Sequence, residues 1–320
     1  MSDEKPLKCW AERANGFLEL DNYGGEFMSN KEALGKLFKD EVRSEKDICL
    51  RLYVLDSLYS TQMKAIFGFK DLSEELYKLP KTRKDLIEKG NEFLDETSNK
   101  DHIINKIFNK KYGISKAENR GNQGDISNND GRNAVSLISK YLYFATGFKF
   151  PIYDSLAKQA YKALKKKYFE NDEDLTRDID HDGFEKYFTL INLLNSQKKS
   201  GIDDFNKLDN LLWAIGKIQN GSFSYLISRS QFANLKEAFY YKLRQSNDSD
   251  LYVLQEKLGI RKHEITPDIN NNGIIKKKAR FSSQDFDNGI RIMLKKGLID
   301  IQDWNSQLKK FIDFVFELSK

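Results

Sequence analysis

Apolar residues recur every three or four positions along most of the chain, which is the spacing of amphipathic helices. This pattern predicts helices over the segments Asn30–Val42, Ser44–Met63, Leu72–Leu79, Thr82–Glu96, His102–Phe108, Phe184–Asn195 and Phe205–Lys217. Two further helices are predicted between Ser222 and Leu258, and more between Phe281 and the C-terminus. Alternating strand patterns are absent beyond the first thirty residues and there are only four prolines, so the sequence predicts an all-α protein.

The stretch Gly131–Ser155 is the most informative part of the pattern. Its apolar positions define the buried face of one helix: Ala134, Leu137, Ile138, Tyr141, Leu142 and Ala145. Gly147 is suited to end that helix in a left-handed conformation. Pro151 follows, and Asp154 then stands at or near the N-cap of a second helix, where a carboxylate is favourable.

Three regions are predicted along the chain. Residues 1–30 carry Gly16, Gly24 and Gly25 and few periodic apolar positions, which favours an irregular or hairpin-like lead-in. Residues 31–220 form the helical core, and residues 221–320 form a helical C-terminal region. The polar stretch from Lys110 to Arg132, rich in Gly and Asn, interrupts the core.

The net charge of the chain says little about its binding partner. The 53 basic and 48 acidic residues leave a net charge of +5, which alone is weak support for a polyanionic partner. The densest basic groups are Lys162 with Lys165–Lys167 and Lys276–Lys278 with Arg280, and each fits a solvated surface as well as a phosphate contact.

Cysteine usage and hydropathy bear on the compartment. Cys9 and Cys49 make no disulfide framework. The first ten residues do not resemble a signal peptide, and no apolar run approaches the ~18 residues of a membrane span. We therefore expect a cytoplasmic protein without a membrane contact. We also expect a monomer.

Metal and cofactor motifs do not reach a complete set. Asp178–Gly183 resembles the start of a calcium loop, but the twelfth position is Thr189 instead of a bidentate glutamate. Three scattered histidines and two distant cysteines give no zinc pattern, and an iron–sulfur cluster needs four cysteines. No phosphate-binding P-loop is present, so we expect no metal and no cofactor.

Three phrases together resemble a series found in a group of bacterial proteins: Ser139-Lys140-Tyr141-Leu142-Tyr143-Phe144, Phe150-Pro151-Ile152-Tyr153-Asp154-Ser155 and Leu208-Asp209-Asn210-Leu211-Leu212-Trp213. Within the second phrase, Phe150-Pro151-Ile152-Tyr153-Asp154 is also similar to the F-P-(I/V)-x-D phrase of a known enzyme superfamily. The region Leu50–Lys217 resembles the helix-hairpin-helix DNA glycosylase superfamily, in its adenine and oxidised-base branches. The resemblance implies an all-α, two-lobed core. The chain departs from the family at the hairpin turn, where only Gly131-Arg132-Asn133 is similar and Asn133 stands at the place expected for the lyase lysine. The 110–132 segment then either contacts DNA through backbone amides or is a disordered insertion.

The resemblance makes Asp154 the catalytic aspartate. Excision of a base breaks an N-glycosidic bond through a cationic, oxocarbenium-like sugar, which a fixed carboxylate stabilises while it orients or deprotonates water. The alternative is that Asp154 only caps a helix.

Lys140 is the second catalytic candidate. The lyase branch uses a lysine amine that forms a Schiff base with the sugar. Lys140 stands fourteen residues before Asp154, closer than the family lysine, and Ser136 lies nearer to the family position. Lys140 therefore serves as the nucleophile, pairs with Asp154, or contacts a phosphate; we expect a monofunctional glycosylase.

The remaining candidates are expected to contact DNA or the extruded base, since extrusion needs a side chain that fills the gap and polar groups that read the base. At the end of an early helix these are Asp56, Tyr59, Ser60 and Gln62, and around the central motif Arg132, Asn133, Lys149, Tyr153 and Ser155. The predicted partner is double-stranded DNA with an extruded base, in repair or in defence against phage. The alternative is a helical DNA-binding or interaction protein without catalysis.

Overall fold

The computed structural model describes residues 6–20, 25–59, 68–113, 132–169, 183–195, 200–257, 282–299, 301 and 304–318. Over these ranges the chain is predominantly helical and has fourteen α-helices, which confirms the all-α expectation. Within the same ranges, none of the helices combines the length and the apolar character needed to cross a membrane.

In chain order the helices are α1 Leu7–Leu18, α2 Gly25–Leu37, α3 Glu45–Tyr59, α4 Phe69–Leu76, α5 Arg83–Asp95, α6 Ile103–Asn109, α7 Val135–Ala145, α8 Ser155–Tyr168, α9 Gly183–Leu194, α10 Phe205–Gln219, α11 Arg229–Gln245, α12 Tyr252–Lys257, α13 Ser283–Lys295 and α14 Ser306–Leu318. Two short 3₁₀ helices are Phe223–Tyr225 and Ser249–Leu251. Two-residue strands β1 Lys111–Tyr112 and β2 Arg132–Asn133 form an antiparallel pair.

The N-terminal segment differs from the irregular lead-in that the sequence predicts. Residues 7–18 form α1, and Leu7, Ala11 and Ala14 are buried at helical spacing. Gly16 lies on the exposed side of this helix, with no atom within 4 Å of where a Cβ would stand. A single exposed glycine costs a helix only about 1 kcal/mol, which the buried face outweighs, so the expectation is wrong for these residues.

The chain divides into two compact units, Met1–Glu12 with Phe27–Leu212 and Arg13–Glu26 with Trp213–Lys320. Helix α7 is the core of the first unit, where it packs against α3, α5 and α6. All of its residues except Ser136 and Ala145 are buried, as is typical of a helix that is apolar on nearly every side.

The second unit has an aromatic core. The ring centroids of Phe239 and Phe286 lie 4.9 Å apart, and those of Phe223 and Trp304 lie 5.9 Å apart. Gly289 allows α13 to pack closely against Phe239 of α11, because a Cβ at this position would stand 2.5 Å from an atom of that ring.

The strand pair joins the two ends of the polar interruption. Lys111 pairs with Asn133, and Tyr112 pairs with Arg132. The buried Tyr112 hydroxyl donates a hydrogen bond to the Ile107 carbonyl at 2.8 Å. Residues 114–131, on which the choice between a DNA-contacting loop and an insertion depends, lie outside the described residues.

The connection between α7 and α8 follows the predicted pattern. Gly147 has a φ of 66°, and Phe148 follows in the same left-handed region with a φ of 69°. The Phe148 N–H donates to the Tyr143 carbonyl at 2.6 Å, which closes α7 as a Schellman-type cap. The Asp154 side chain accepts from the Ala157 N–H, so the predicted N-cap is confirmed.

Candidate active site

Asp154 is held at both carboxylate oxygens. Its Oδ1 accepts a hydrogen bond from the Ala157 N–H at 2.8 Å, in the first turn of α8. Its Oδ2 lies 3.4 Å from the Nζ of Lys140. The Asp154 side chain keeps 25% of its surface exposed, so the carboxylate is fixed in place and still reaches solvent.

Lys140 is buried, with 3% of its side chain exposed. Besides the ion pair, its Nζ donates to the Ser136 Oγ at 2.7 Å, one turn earlier on α7. The same nitrogen lies 5.2 Å from the centroid of the Tyr59 ring, a cation–π distance. A carboxylate, a hydroxyl and an aromatic face thus compensate the buried charge, and of the interpretations left open by the sequence this geometry favours the ion pair.

The segment before α8 is tied to α7 beside these two residues. The Ser139 Oγ accepts a hydrogen bond from the Tyr153 N–H at 3.0 Å and donates one to the Ser136 carbonyl at 3.0 Å. The Tyr187 hydroxyl donates to the Ile152 carbonyl at 2.7 Å. Because backbone groups on both sides are bonded, the position of Asp154 depends on the packing of α7, α8 and α9.

Tyr59, the last residue of α3, lies over Lys140. Burial raises the pKa of the Tyr59 hydroxyl well above its usual range, and the negative charges of Asp209 and Asp154 raise it further. Its ring centroid is also 6.3 Å from that of Phe144. Tyr59 is therefore a neutral phenol that can offer a hydrogen bond and an aromatic face.

A second lysine–aspartate pair lies in the same unit. The Nζ of Lys31 is 3.0 Å from the Oδ2 of Asp209 and 2.6 Å from the Oδ1 of Asn210. Burial lowers the pKa of Lys31, and the charge and hydrogen bond of Asp209 oppose that shift. Three aromatic rings lie within cation–π distance of this ammonium group: Phe27, Tyr143 and Phe148.

The carboxylates of the two lysine–aspartate pairs influence the same two tyrosines electrostatically. The charges of Asp154 and Asp209 both raise the pKa of Tyr59, and both raise that of Tyr187, after the larger effect of burial. The site is therefore a polar cluster of two carboxylates, two ammonium groups and neutral phenols inside an apolar helical unit. We name it the two-pair cluster: Lys31, Tyr59, Lys140, Asp154, Tyr187 and Asp209.

Three residues of this second pair are not among the predicted site residues: Lys31, Asp209 and Asn210. Asp209 and Asn210 lie in the Leu208–Trp213 phrase, which resembles part of the series found in a group of bacterial proteins. Lys31 lies on α2, and its partner is 178 residues away, so no local pattern pointed to it.

Two other predicted site residues flank Asp154. The Lys158 Nζ donates to the Tyr153 hydroxyl at 3.3 Å, and the Tyr153 ring stands edge-on to that of Tyr187, with centroids 5.0 Å apart. Ser155 is exposed at the first position of α8.

The remaining predicted contacts are more scattered. Lys149 is exposed in the α7–α8 connection, and Asn133 is exposed in β2. Asp56 is buried on α3, one turn before Tyr59. The backbone of Arg132 pairs in β2, while its side chain lies outside the described part of the chain, as do Ser60 and Gln62.

The arrangement suits charge stabilisation by Asp154 and proton transfer to it, because a carboxylate fixed by a helix terminus needs no reorganisation during a reaction. Across the described ranges, no group of three or more His, Cys, Asp or Glu side chains is arranged to hold a metal ion. Comparison with models of known protein families, with curated proteins and with solved structures gives no match.

Proposed function

We propose that the protein is a monofunctional DNA glycosylase that extrudes a damaged or modified base from double-stranded DNA and hydrolyses its N-glycosidic bond. One observation carries the proposal: Asp154 presents a carboxylate fixed at the start of α8, ion-paired to Lys140 and open to solvent. The sequence phrase around Asp154 supplies the reaction class.

Asp154 has two tasks in this proposal. As the base leaves, positive charge develops on the sugar, and a fixed carboxylate stabilises it without rearrangement. The same carboxylate orients or deprotonates the water that attacks the sugar. The Ala157 N–H holds one oxygen of the Asp154 carboxylate in place, so the helix fixes the orientation of the carboxylate before DNA binds.

Lys140 acts in the proposal as a positioning residue. A Schiff-base nucleophile must reach the sugar carbon with an unprotonated amine. The Lys140 amine is instead buried, hydrogen-bonded to Ser136 and paired with Asp154. These contacts favour a role in orienting the carboxylate and in offsetting its charge.

Tyr59 and Tyr153 are proposed to contact the extruded base. Bases outside the duplex are bound by stacking on aromatic rings and by hydrogen bonds to their edges. Tyr59 lies over Lys140 and stays protonated, so it offers both kinds of contact.

A second candidate is a helical DNA-binding protein without catalysis. The observation that favours it is that each Asp154 oxygen already has an intramolecular partner, Ala157 on one side and Lys140 on the other. Asp154 would then join two helices and cap one of them.

The deciding experiment incubates the full chain with duplexes that carry single damaged or phage-type modified bases, and scores abasic sites by alkaline cleavage. The glycosylase proposal predicts excision from at least one duplex, lost in Asp154→Asn. The second candidate predicts DNA binding without excision from any duplex. The identity of the excised base then separates a role in repair from a role in phage defence.

A further inference from the structure

A cavity of about 300 Å³ lies in the first unit, between the segment after α2 and helices α3, α4, α5 and α7. It is separate from the two-pair cluster, since none of the six residues of that cluster lines it. Apolar side chains form much of its wall: Phe38, Ile48, Leu76, Leu79, Leu86 and Ala145. Its volume is at the lower end of the range of small-molecule sites, roughly 300–1,000 Å³.

Two arginines enter the cavity from opposite helices and are anchored by the same turn. The Nη2 of Arg51 donates to the Asp40 carbonyl at 2.6 Å, and the Nη2 of Arg83 donates to the Phe38 carbonyl at 3.0 Å. Gly147 leaves room for the second guanidinium, because a Cβ there would stand 3.2 Å from the Nη1 of Arg83. A guanidinium has five N–H donors, so these bonds leave most of its donors for other partners.

The charge of Arg51 is buried, and the Asp47 carboxylate, one turn earlier on α3, interacts with it electrostatically without forming an ion pair. Only 5% of the Arg51 residue is exposed. Among the residues that the structure describes, neither Arg51 nor Arg83 forms an ion pair with an acidic side chain. Buried charges are normally paired, because burial of an unpaired ion is costly. Arg51 is instead stacked over Phe38, 4.9 Å from its ring centroid.

Tyr141 adds a neutral hydroxyl beside Arg51. Burial raises the pKa of Tyr141 to about 12, and the charge and hydrogen bond of Arg51 oppose this shift. The cavity therefore contains two guanidinium groups, those of Arg51 and Arg83, and a phenol that can donate or accept a hydrogen bond.

The rim of the cavity is mixed in charge but remains cationic. Lys39 and Lys81 add two ammonium groups, and Asp40 and Glu41 add two acidic side chains. With the two arginines, four basic residues face two acidic ones. Such a lining repels small cations and suits an anion.

We infer that this cavity is a binding site for a small amphipathic anion, a carboxylate or a phosphate monoester on a short apolar body. The planar arginine fork matches the oxygens of either head group in a bidentate way. The apolar wall takes the body, and the volume limits its length. The site is independent of base excision, and the two proposals stand or fall separately.

The test is calorimetric titration of the full chain with four probes: octanoate, octyl phosphate, octanol and inorganic phosphate. We expect saturable binding of octanoate or octyl phosphate, with the tighter of the two naming the head group. Octanol and inorganic phosphate should each bind at least about tenfold more weakly, since each lacks one half of the recognised chemistry.

Variants locate the site. Arg51→Gln and Arg83→Gln should each lower the affinity for the probe by about tenfold to hundredfold, because charge-assisted hydrogen bonds are lost. Arg83 is exposed, so its variant keeps the test valid if Arg51→Gln does not fold. Arg43→Gln, an exposed arginine of the α2–α3 connection outside the cavity lining, is the matched control and should bind like the parent.

Three results would overturn the inference. The first is that no probe gives saturable binding at millimolar concentration. The second is that octanol or inorganic phosphate binds as tightly as the amphipathic anions. The third is that Arg43→Gln weakens binding as much as Arg83→Gln does.

Discussion

The Nζ of Lys140 lies 3.4 Å from the Oδ2 of Asp154, and the two residues differ sharply in exposure: 3% for the lysine side chain and 25% for the aspartate. The pair joins α7 to the start of α8 and leaves its carboxylate on the solvent side. Removal of one member of a buried pair leaves the other charge without compensation. Substitutions here therefore change stability as well as any reaction, and both have to be measured.

Asp154→Asn should separate these two effects. The amide still accepts from the Ala157 N–H, so the cap is kept. The charge of Lys140 loses its partner, and we expect the free energy of unfolding to fall by about 1–3 kcal/mol, less than for a fully buried pair. Excision should drop by roughly two to four orders of magnitude. Urea unfolding and single-turnover excision measure the two quantities.

Asp248→Asn is the matched control for that change. Like Asp154, Asp248 is a helix N-cap with an ion pair: it caps the 3₁₀ helix Ser249–Leu251 and pairs with Lys296 at 2.7 Å. It lies in the second unit. We expect a smaller stability change than for Asp154→Asn, because the lysine of this pair is much more exposed than Lys140, and no change in excision. Excision that is unaltered in Asp154→Asn would remove the catalytic role of this carboxylate.

Lys140→Gln tests the mechanism. If Lys140 only positions Asp154, borohydride should trap no protein–DNA adduct with either the parent or the variant, and the variant should keep measurable base excision. The physical reason is that the amine is buried and hydrogen-bonded to Ser136. An adduct that forms with the parent and vanishes in Lys140→Gln would show instead that Lys140 is the Schiff-base nucleophile.

The features that the sequence predicts well are local. Gly147 ends α7 with a positive φ, and Asp154 caps α8, because both depend on a few neighbouring residues. The Thr82 side chain likewise caps α5 by accepting from the Asp85 N–H. In each case the residue type and its distance from the apolar pattern determine the conformation.

The features that the sequence does not predict depend on distant packing. The Lys31–Asp209 pair joins residues that only the tertiary fold brings together. Buried Arg51 contradicts the rule that arginines stay outside, so the periodicity of α3 gives no reason to place it in a cavity. Helix α1 is also not predicted, because Gly16 favours irregular structure locally while the buried face of the helix depends on tertiary packing. The roles of Asp154 and Lys140 in a reaction stay predictions.

Tyr141→Phe should change how stability depends on alkaline pH. The unfolded phenol titrates near pH 10, whereas the pKa of Tyr141 in the fold is about 12. The raised pKa contributes stability that is full below pH 10 and is lost between pH 10 and 12, by about 2–3 kcal/mol. The parent should therefore lose stability more steeply than Tyr141→Phe above pH 10, in urea midpoints measured from pH 8 to 12.

Tyr241→Phe is the control for this pH effect. Tyr241 is 60% exposed, so its replacement removes no buried phenol, and the urea midpoints of this variant should follow those of the parent. Equal slopes for the parent and Tyr141→Phe would contradict the raised pKa of the buried phenol.

Two glycine substitutions with opposite expected effects on stability test the backbone conformations of Gly147 and Gly16. Gly147→Ala should destabilise the protein by about 1–2 kcal/mol, because φ is 66° and the new Cβ would crowd Arg83. Gly16→Ala should stabilise it by about 0.5–1 kcal/mol, since the residue lies in α1 with open space around it. Thermal unfolding of both variants measures the difference, and a stabilising Gly147→Ala would exclude the left-handed cap.

DNA binding should depend strongly on salt if the basic groups contact phosphates. Helix α8 begins at the Asp154 cap and carries Lys165, Lys166 and Lys167 in its last turn. Each phosphate neutralised on duplex DNA releases counterions and contributes about −0.9 to the slope of log affinity against log salt. Replacement of all three lysines by glutamine should make that slope less negative by up to about 2.7, measured by fluorescence anisotropy.

A matched control distinguishes a local contact from the effect of net charge. Lys309→Gln/Lys310→Gln removes adjacent lysines from α14, in the second unit. If the α8 lysines contact phosphates and the α14 lysines do not, this control keeps the parent slope, because only phosphate contacts release counterions. Equal changes per lysine in the two variants would mean that only net charge matters. Binding that is independent of salt, or absent at low salt, would argue against glycosylase and DNA-binding protein alike.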